Sequence, residues 1–219
     1  MNVVLLGSPA SGKGTQADLL CKKFNLYHLS TGEVARKLAE KDQRIREIID
    51  SGKLIPAEEM TMHVINFLSN EKSDLKNILF EGFPRFISQF EALSNFLITK
   101  GDNLDLVISL EVSQGEAIKR ISSRRVCEVC GENFNLITKP PEFSGKCDKC
   151  GSNLIQRKDD NEDSVKVRFE YYENNTKELI DYVERIGKLT KVNGERPIDE
   201  IQKDLIEIVE RVKDGQNYN

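Results

Sequence analysis

The chain has 219 residues, five cysteines and a formal net charge of −4. This length can bury a substantial core, either as one domain with an insertion or as two small domains. The acidic balance excludes an overall basic field, so we expect no nucleic-acid and no membrane partner, and basic groups must act locally. No apolar run is long enough to cross a bilayer and the chain opens on a strand without a charged leader, which predicts a cytoplasmic protein.

The first predicted element is a short apolar strand that runs into a glycine-rich loop. The strand Val3-Val4-Leu5-Leu6 precedes Gly7-Ser8-Pro9-Ala10-Ser11-Gly12-Lys13-Gly14-Thr15, where a helix begins. Such a loop turns backbone N–H groups and a helix N-terminus toward phosphate oxygens, and Lys13 adds a positive charge. The general pattern has a hydroxyl directly after the lysine, whereas here Gly14 intervenes before Thr15. A plain connecting turn is the alternative, but Lys13 favours a phosphate site.

Strands and helices are predicted to alternate along most of the chain. The strand patterns lie near residues 2–6, 27–29, 77–81, 105–110 and 189–193. This alternation predicts an α/β fold with a parallel sheet, and the loop resembles that of the P-loop proteins. Two stretches interrupt it, a helical segment from about 31 to 71 and a cysteine-bearing segment from about 124 to 160, and both resemble insertions over a sheet edge.

Local signals predict where several helices begin and end. Ser88 with Glu91, and Ser113 with Glu116, have the spacing of capping boxes, in which a hydroxyl and a carboxylate accept the first free N–H groups of a helix. Three glycines are placed to end helices, because glycine adopts the left-handed conformation that follows a last turn: Gly52, Gly101 and Gly187.

The third predicted strand ends in Glu81-Gly82-Phe83-Pro84-Arg85. At the carboxyl end of a parallel strand, this sequence places a carboxylate and a guanidinium beside the phosphate loop. Glycine and proline could instead shape a structural turn, with Arg85 paired to a surface acid. The neighbouring loop favours binding.

Arginines cluster on both sides of the cysteine segment. Arg120, Arg124 and Arg125 precede it, and Arg157 and Arg168 follow it. In an acidic protein this clustering predicts a local anion. A solvated helix face is the alternative, and we expect it for Lys119, Arg125, Lys158 and Lys166.

Four of the five cysteines form two closely spaced pairs. These are Cys127-x-x-Cys130 and Cys147-x-x-Cys150, each followed by a glycine. In a reducing compartment such thiols are reduced or bound to metal. Four thiolates favour tetrahedral zinc in a closed structural site, with iron as the main competitor and disulfides as a weaker alternative. The fifth, Cys21, is expected to be a small buried hydrophobe.

Together, these motifs resemble the adenylate kinases of the nucleoside monophosphate kinase family, in the long-lid form whose lid carries a four-cysteine zinc site. The resemblance covers nearly the whole chain. It implies a P-loop NTPase-type core, a five-stranded parallel sheet flanked by helices (1–29, 56–123 and 162–219), with an AMP-binding segment (30–55) and a zinc-binding lid (124–161). The motifs that carry it are the Gly12-Lys13-Gly14-Thr15 loop, Ser30-Thr31-Gly32 with Arg36, Gly52-Lys53-Leu54-Ile55-Pro56, Gly82-Phe83-Pro84-Arg85 with Gln89, Arg124-Arg125, and Arg157-Lys158-Asp159-Asp160.

The resemblance implies reversible transfer of the terminal phosphoryl group of Mg-ATP to AMP, giving two ADP, by a monomer whose partners are these nucleotides. The residues implied at the ATP site are Ala10, Ser11, Gly12, Lys13, Gly14, Thr15, Arg120, Arg124, Asn133, Phe134 and Arg196. Of these, the resemblance implies Arg120, Asn133 and Phe134 along the base and ribose of ATP and Arg196 near the adenine. Those implied at the AMP site are Thr31, Arg36, Lys53, Leu54, Ile55, Gly82, Phe83, Pro84, Arg85, Gln89, Arg157 and Arg168. The implied catalytic set is Lys13, Arg85, Arg124, Arg157 and Arg168, the zinc ligands are Cys127, Cys130, Cys147 and Cys150, and Glu81 would hold Mg²⁺ through water.

Three positions depart from the family pattern: Ala10 stands in place of glycine, and Glu33 and Glu81 stand in place of aspartate. Ala10 argues against a positive φ at this point of the loop, because its methyl group penalises that conformation. Glu81 reaches one methylene further than aspartate, so we expect Mg²⁺ to be shifted rather than lost.

Two rival functions remain open on the sequence. One is a kinase of the same fold that acts on another monophosphate or takes GTP as donor; Thr31 and Gln89 favour adenine in the acceptor site because a hydroxyl and an amide can read base edges. The other is a zinc-ribbon module that binds nucleic acid, which predicts a basic, aromatic-rich ribbon. Between Cys127 and Cys150 the chain instead has four acids and two aromatic residues: Glu128, Glu132, Glu142, Asp148, Phe134 and Phe143.

Overall fold

The computed structural model describes residues 1–70, 72 and 74–215. The remaining positions, 71, 73 and 216–219, belong to the predicted core and lie outside the described residues. In chain order the elements are β1 (Val3–Gly7), α1 (Lys13–Phe24), β2 (Tyr27–Ser30), α2 (Thr31–Ala39), α3 (Gln43–Asp50), α4 (Ala57–Asn70), β3 (Ile78–Glu81), α5 (Ile87–Thr99), β4 (Leu106–Glu111), α6 (Gln114–Ser122), β5 (Arg124–Cys127), β6 (Asn133–Asn135), β7 (Leu154–Ile155), α7 (Glu162–Tyr171), a π-helical turn (Tyr172–Thr176), α8 (Lys177–Arg185), β8 (Leu189–Asn193) and α9 (Ile198–Lys213).

The central sheet has five strands in the order β2-β3-β1-β4-β8, and every neighbouring pair is parallel. This confirms the predicted parallel five-stranded sheet. β1 lies in the middle, with Val3 in register with Leu79 of β3 on one side and Leu106 of β4 on the other. The strand order reverses at β1, so the loop that follows β1 opens into a crevice at the carboxyl edge of the sheet.

Both faces of the sheet are covered by helices. Successive side chains of a strand point to opposite faces, so Val3 and Leu5 pack into one layer with α1 and α9, while Val4 and Leu6 pack into the other with α4, α5 and α8. All four side chains are buried. A parallel sheet covered on both faces has continuous apolar strands, which explains why the Val3–Leu6 run does not alternate with polar residues.

Of the two helix starts predicted from capping boxes, one is correct. The prediction at Ser88 is wrong: α5 begins at Ile87, and among the described residues no side chain caps it. The carbonyl Oε1 of Gln89 instead accepts the N–H of Arg85 at 2.8 Å, which joins the preceding turn to the first turn of the helix. At α6, Ser113 is the N-cap as predicted, and its Oγ accepts the N–H of Glu116 at 3.4 Å.

The predicted helix ends are confirmed. Gly52, Gly101 and Gly187 follow α3, α5 and α8 with φ of 76°, 77° and 71°. The helical stretch predicted between the second and third strands is confirmed as α2, α3 and α4.

The cysteine segment forms its own small antiparallel sheet, in the order β6-β5-β7. Its core consists of Cys127, Phe134 and Cys147 with Leu154 packed against them. The division of the chain into core, AMP-binding segment and lid stays a prediction. None of the described helices is both long and apolar enough to span a membrane.

Candidate active site

A cavity of about 1040 Å³ opens at the carboxyl edge of the central sheet. It is lined by the loop after β1, by the ends of β2 and β3, by α6, by the small antiparallel sheet, by α7 and by the segment between β8 and α9. Every residue predicted at the ATP site lines this cavity, as do Glu81, Arg85, Arg157 and Arg168. The fold therefore brings together residues that are far apart in the sequence.

The backbone of the glycine-rich loop is strongly curved. Gly7, Ala10 and Gly12 have φ of 145°, 58° and 93°. The expectation that Ala10 would avoid a positive φ is therefore wrong. The left-handed conformation costs a residue with a Cβ about 1–2 kcal/mol, and the loop accepts that cost because its curvature requires this conformation at Ala10.

Lys13 is the first residue of α1, and its ammonium group folds back onto the loop. Nζ donates to the carbonyl oxygens of Gly7 at 2.9 Å and Ser8 at 2.6 Å, and to Oγ of Ser11 at 3.3 Å. Burial lowers the pKa of Lys13 to about 8, although the carboxylate of Glu81 acts in the opposite direction. The ammonium group is therefore poorly solvated, and a phosphate in the cavity would stabilise its charged form.

This lowered pKa predicts how ATP binding depends on pH. Phosphate favours protonated Lys13, so the affinity should be constant below pH 8 and fall by up to about tenfold per pH unit above it. Isothermal titration calorimetry with Mg²⁺ and a non-hydrolysable ATP analogue between pH 7 and 9.5 measures this, and it should show uptake of close to one proton at pH 9. Lys13→Arg, which stays charged throughout, is the control and should remove the dependence. A flat profile for the parent protein would contradict the prediction.

Three arginines and two aspartates form a cluster where the small antiparallel sheet joins α7. Arg124 donates from Nε to Asp160 at 2.7 Å and from Nη2 to the other oxygen of the same carboxylate. Arg168 donates from Nη2 to Asp160 at 3.0 Å, and Arg157 donates to Asp159 at 2.9 and 2.6 Å. The cluster keeps a net positive charge, so it can accept a further anion.

The two aspartates hold the three guanidinium groups in place. The side chain of Asp160 is fully buried, and that of Asp159 is 12% exposed. Burial alone would raise the pKa of Asp159, but Arg157, Arg168 and Arg124 outweigh it and keep the pKa below its usual range. From the sequence, Asp159 and Asp160 were predicted only as part of a motif. Their signal was the position of two adjacent acids directly after Arg157.

A smaller cavity of about 130 Å³ is lined by α2, by the segment after α3 and by the turn after β3. Of the residues predicted at the AMP site, all except Pro84 line it, and Pro84 lines the large cavity. Arg85 lines both cavities, and burial lowers its pKa while Glu81 raises it. The carboxamide of Gln89 is held at both ends, because Oε1 accepts from Arg85 and Nε2 donates to the carbonyl oxygen of Ala57 at 3.0 Å. This leaves Gln89 one N–H and one lone pair for a ligand.

The close packing around Gly82 predicts that a side chain at this position would disturb the smaller cavity. Its φ is 76°, and a Cβ would lie 2.9 Å from Oγ1 of Thr31 and 3.3 Å from Nη2 of Arg85. We expect Gly82→Ala to raise the KM for AMP about tenfold by displacing these two side chains, with the KM for ATP unchanged. Gly101→Ala is the matched control, since Gly101 has φ of 77° but none of the described atoms would lie within 4 Å of its Cβ. Both variants should lose about 1–2 kcal/mol of stability from the strained backbone. Equal KM values for AMP in the two variants would contradict the prediction.

The residues predicted around the base and ribose of ATP differ in their contacts and in their burial. Arg120 donates from Nε to Glu116 at 2.8 Å and from Nη1 to the carbonyl oxygen of Gly194 at 2.8 Å. Arg196 pairs with Asp204, which raises its pKa. Phe134 is 3% exposed and packs in the core of the small sheet, so its side chain also has a structural role there. Asn133 is exposed. Glu116 was predicted only in the cap of α6 and not as the partner of Arg120.

The four paired cysteines meet at one end of the small sheet. Their sulfur atoms all lie within 4.8 Å of one another, with Cys127 and Cys150 3.4 Å apart, and Cys130 3.6 Å from both Cys147 and Cys150. Tetrahedral coordination with metal–sulfur bonds of about 2.3 Å places sulfurs roughly 3.8 Å apart, so the cluster has the size of a four-thiolate site. Such a site can hold a metal and has no open position for substrate.

Comparison with known proteins agrees with this geometry. The family model described as adenylate kinase matches residues 5–188. The chain belongs to the adenylate kinase family. It is 41% identical to the adenylate kinase of Thermosipho africanus over 216 residues, which cover 96% of this chain and all of the relative. It is 42% identical to the adenylate kinase of Caldanaerobacter subterraneus subsp. tengcongensis, with 94% of each chain covered, and 36% identical to that of Staphylococcus aureus, with 97% and 100% covered.

Family membership confirms the resemblance found in the sequence. The parallel sheet with its flanking helices is the fold expected of an adenylate kinase. The four-cysteine cluster fits the metal-bearing lid of the long form. The protein is therefore an enzyme, an adenylate kinase.

Proposed function

We propose that this adenylate kinase transfers the terminal phosphoryl group of Mg-ATP to AMP at the junction of the two cavities, giving two ADP. The observation that carries the proposal is the convergence of Lys13, on the loop after β1, with the guanidinium groups of Arg124, Arg157 and Arg168 around the large cavity. Arg157 and Arg168 also line the smaller cavity, so they are shared between the two. ATP would occupy the large cavity, with its base beside Arg120, and AMP would occupy the smaller cavity.

The chemistry needs positioning and charge neutralisation more than covalent help. The phosphoryl group is electrophilic once its charge is neutralised and the attacking and leaving oxygens are held in line. Guanidinium groups suit this task because their planar forks bind two oxygens at once. We assign Lys13 and the loop N–H groups to the ATP phosphates, Arg36 and Arg85 to the AMP phosphate, and the lid and α7 arginines to the transferred group. No general base is required.

Closure of the lid would exclude water from the reaction. An open site would let water accept the phosphoryl group, and removal of water also strengthens the arginine–phosphate interactions. Asn135 of the lid donates to the carbonyl oxygen of Arg120 on α6 at 2.9 Å, and Asp160 of the lid accepts from Arg168 on α7 at 3.0 Å. These contacts join the lid to α6 and to α7.

Magnesium and a structural metal complete the proposal. Glu81 lines the large cavity, and its Oε2 accepts from the hydroxyl of Ser30 at 2.8 Å. Oxygen ligands suit Mg²⁺, which keeps several of its waters. Glu81 would therefore hold the ion through water, and the ion would neutralise phosphate charge.

We propose zinc in the four-cysteine site because four thiolates favour it over harder cations. We also propose that the enzyme acts as a cytoplasmic monomer without a nucleic-acid partner.

Product analysis by chromatography tests the proposed function. The metal-replete protein is given Mg²⁺ with ATP or GTP as donor and AMP, CMP, UMP or GMP as acceptor. Rapid ADP formation only from ATP with AMP is expected. Turnover with another pair would overturn the specificity proposed for Thr31 and Gln89. The absence of turnover with every pair would overturn the proposed function.

A further inference from the structure

The N-terminus of α6 departs from the capping box expected there. Ser113 caps the N–H of Glu116, but the carboxylate of Glu116 does not return to the N–H of Ser113 as a capping box requires. That N–H donates instead to Oε1 of Glu195 at 2.8 Å. Glu195 comes from the segment between β8 and α9, so a residue distant in sequence takes over the cap. The carboxylate of Glu116 is thereby free for another partner.

That partner is Arg120, one turn further along α6. Oε1 of Glu116 accepts from Nε of Arg120 at 2.8 Å, and the carbonyl oxygen of Gly194 accepts from Nη1 at the same distance. The Arg120 side chain is only 11% exposed. Two acceptors on separate elements fix a planar guanidinium in both position and orientation, which one surface ion pair does not do.

Arg120 lies where three parts of the cavity wall meet. A Cβ on Gly194 would lie 2.9 Å from Cγ2 of Val112 and 3.2 Å from the carbonyl oxygen of Ser11, so this segment packs directly against the phosphate loop. Asn135 of the lid donates to the carbonyl oxygen of Arg120 at 2.9 Å. Glu116 and Arg120 both line the large cavity. A change in the position of the Arg120 guanidinium would therefore change the shape of the donor site.

We propose that Glu116 is a positioning residue for the donor nucleotide: it holds the Arg120 guanidinium as a fixed surface against which the base of ATP packs. This inference rests on the proposed placement of the ATP base beside Arg120. Guanidinium planes stack on aromatic rings, and a guanidinium already held in place loses less freedom when the base arrives. A purely structural Glu116–Arg120 pair within α6 would support the helix and leave ATP binding unchanged.

Steady-state kinetics of Glu116 variants test the proposal. Glu116→Ala is expected to raise the KM for ATP about tenfold, with kcat and the KM for AMP unchanged. Glu116→Gln should restore part of the loss, because its amide oxygen can accept from Nε of Arg120 without the charge. Glu173→Ala is the matched control, since it removes the carboxylate of another i,i+4 pair, with Lys177 at 3.0 Å, and should leave all three constants unchanged. Thermal melts establish that each variant is folded.

A double-variant cycle separates this inference from the function on which it rests. Arg120→Ala should raise the KM for ATP, and Glu116→Ala added to it should have no further effect, because Glu116 acts through Arg120. If Arg120→Ala raises the KM for ATP and Glu116→Ala does not, the inference is overturned while the placement of ATP stands. Additive effects would also overturn it, since they would show Glu116 acting independently. If Arg120→Ala leaves the KM for ATP unchanged, both the placement of the base and the inference are wrong.

Discussion

Replacement of Arg124 by lysine is expected to lower kcat about 10³-fold while the protein stays folded. Arg124 binds both oxygens of the buried Asp160 carboxylate and lines the large cavity. Lysine keeps the positive charge next to Asp160, so the ion pair survives, but it cannot hold a carboxylate and phosphate oxygens with one planar fork. The loss should therefore appear in phosphoryl transfer. Initial rates with saturating ATP and AMP measure kcat, and thermal melting measures the fold.

The adjacent arginine provides a matched control for this prediction. Nη1 of Arg125 donates to the carbonyl oxygens of Ser122 at 3.2 Å and Arg124 at 2.7 Å, and Arg125 is not among the described residues that line the cavity. Arg125→Lys should change kcat by no more than about twofold, because the bonds of Arg125 to these backbone carbonyls lie outside the cavity. A similar fall in both variants, or near-normal turnover in Arg124→Lys, would contradict the role proposed for Arg124.

Loss of one metal ligand should have the second large effect. Cys147→Ser is expected to empty the four-cysteine site and to lower Tm by about 10 °C. Binding of a structural zinc contributes about 10–16 kcal/mol in isolated small domains. Even a third of that, at about 2–4 °C per kcal/mol for a chain of this size, gives the expected shift. Calorimetry measures the melting, and elemental analysis of the purified parent protein also distinguishes zinc from iron.

Cys21 supplies the control for this experiment. It lies on α1, packed against the core, and burial raises the pKa of its thiol to about 12, so it is not a thiolate at neutral pH. Cys21→Ser should leave the metal content unchanged and lower the free energy of unfolding by about 1–3 kcal/mol, the cost of placing a hydroxyl among apolar side chains. Unchanged metal content and melting in Cys147→Ser would show that the cluster is not a structural metal site.

The features that could be predicted from the sequence are those set by residues close together in the chain. The loop after β1 needs glycines and a lysine in consecutive positions, and the cysteine pairs need a fixed two-residue spacing, so both are visible as motifs. The parallel strands were predictable because a sheet covered on both faces requires continuous apolar runs such as Val3–Leu6. Among the helix ends, Gly52, Gly101 and Gly187 were found because only glycine readily takes the positive φ there.

The predictions that failed were decided by contacts and backbone curvature that residue type and spacing do not show. The capping spacing at Ser88 was overridden because Gln89 reaches back to Arg85 and α5 starts earlier. The carboxylate expected in the cap of α6 binds Arg120 because Glu195 takes its place, 82 residues away from Ser113. Ala10 was expected to avoid a positive φ on its intrinsic preference, and the curvature of the loop outweighed that preference.

The sequence alone therefore determined the family, the sheet, the glycine-rich loop and the pairing of the four cysteines, since each follows from residue type and spacing within one segment. Only the tertiary structure decided which charges meet. It pairs Arg124 and Arg168 with Asp160, places Arg157 on Asp159 and directs Glu116 to Arg120. The physical reason is that a side-chain hydrogen bond acts over about 3 Å, and those distances are fixed only after the sheet and its insertions have packed.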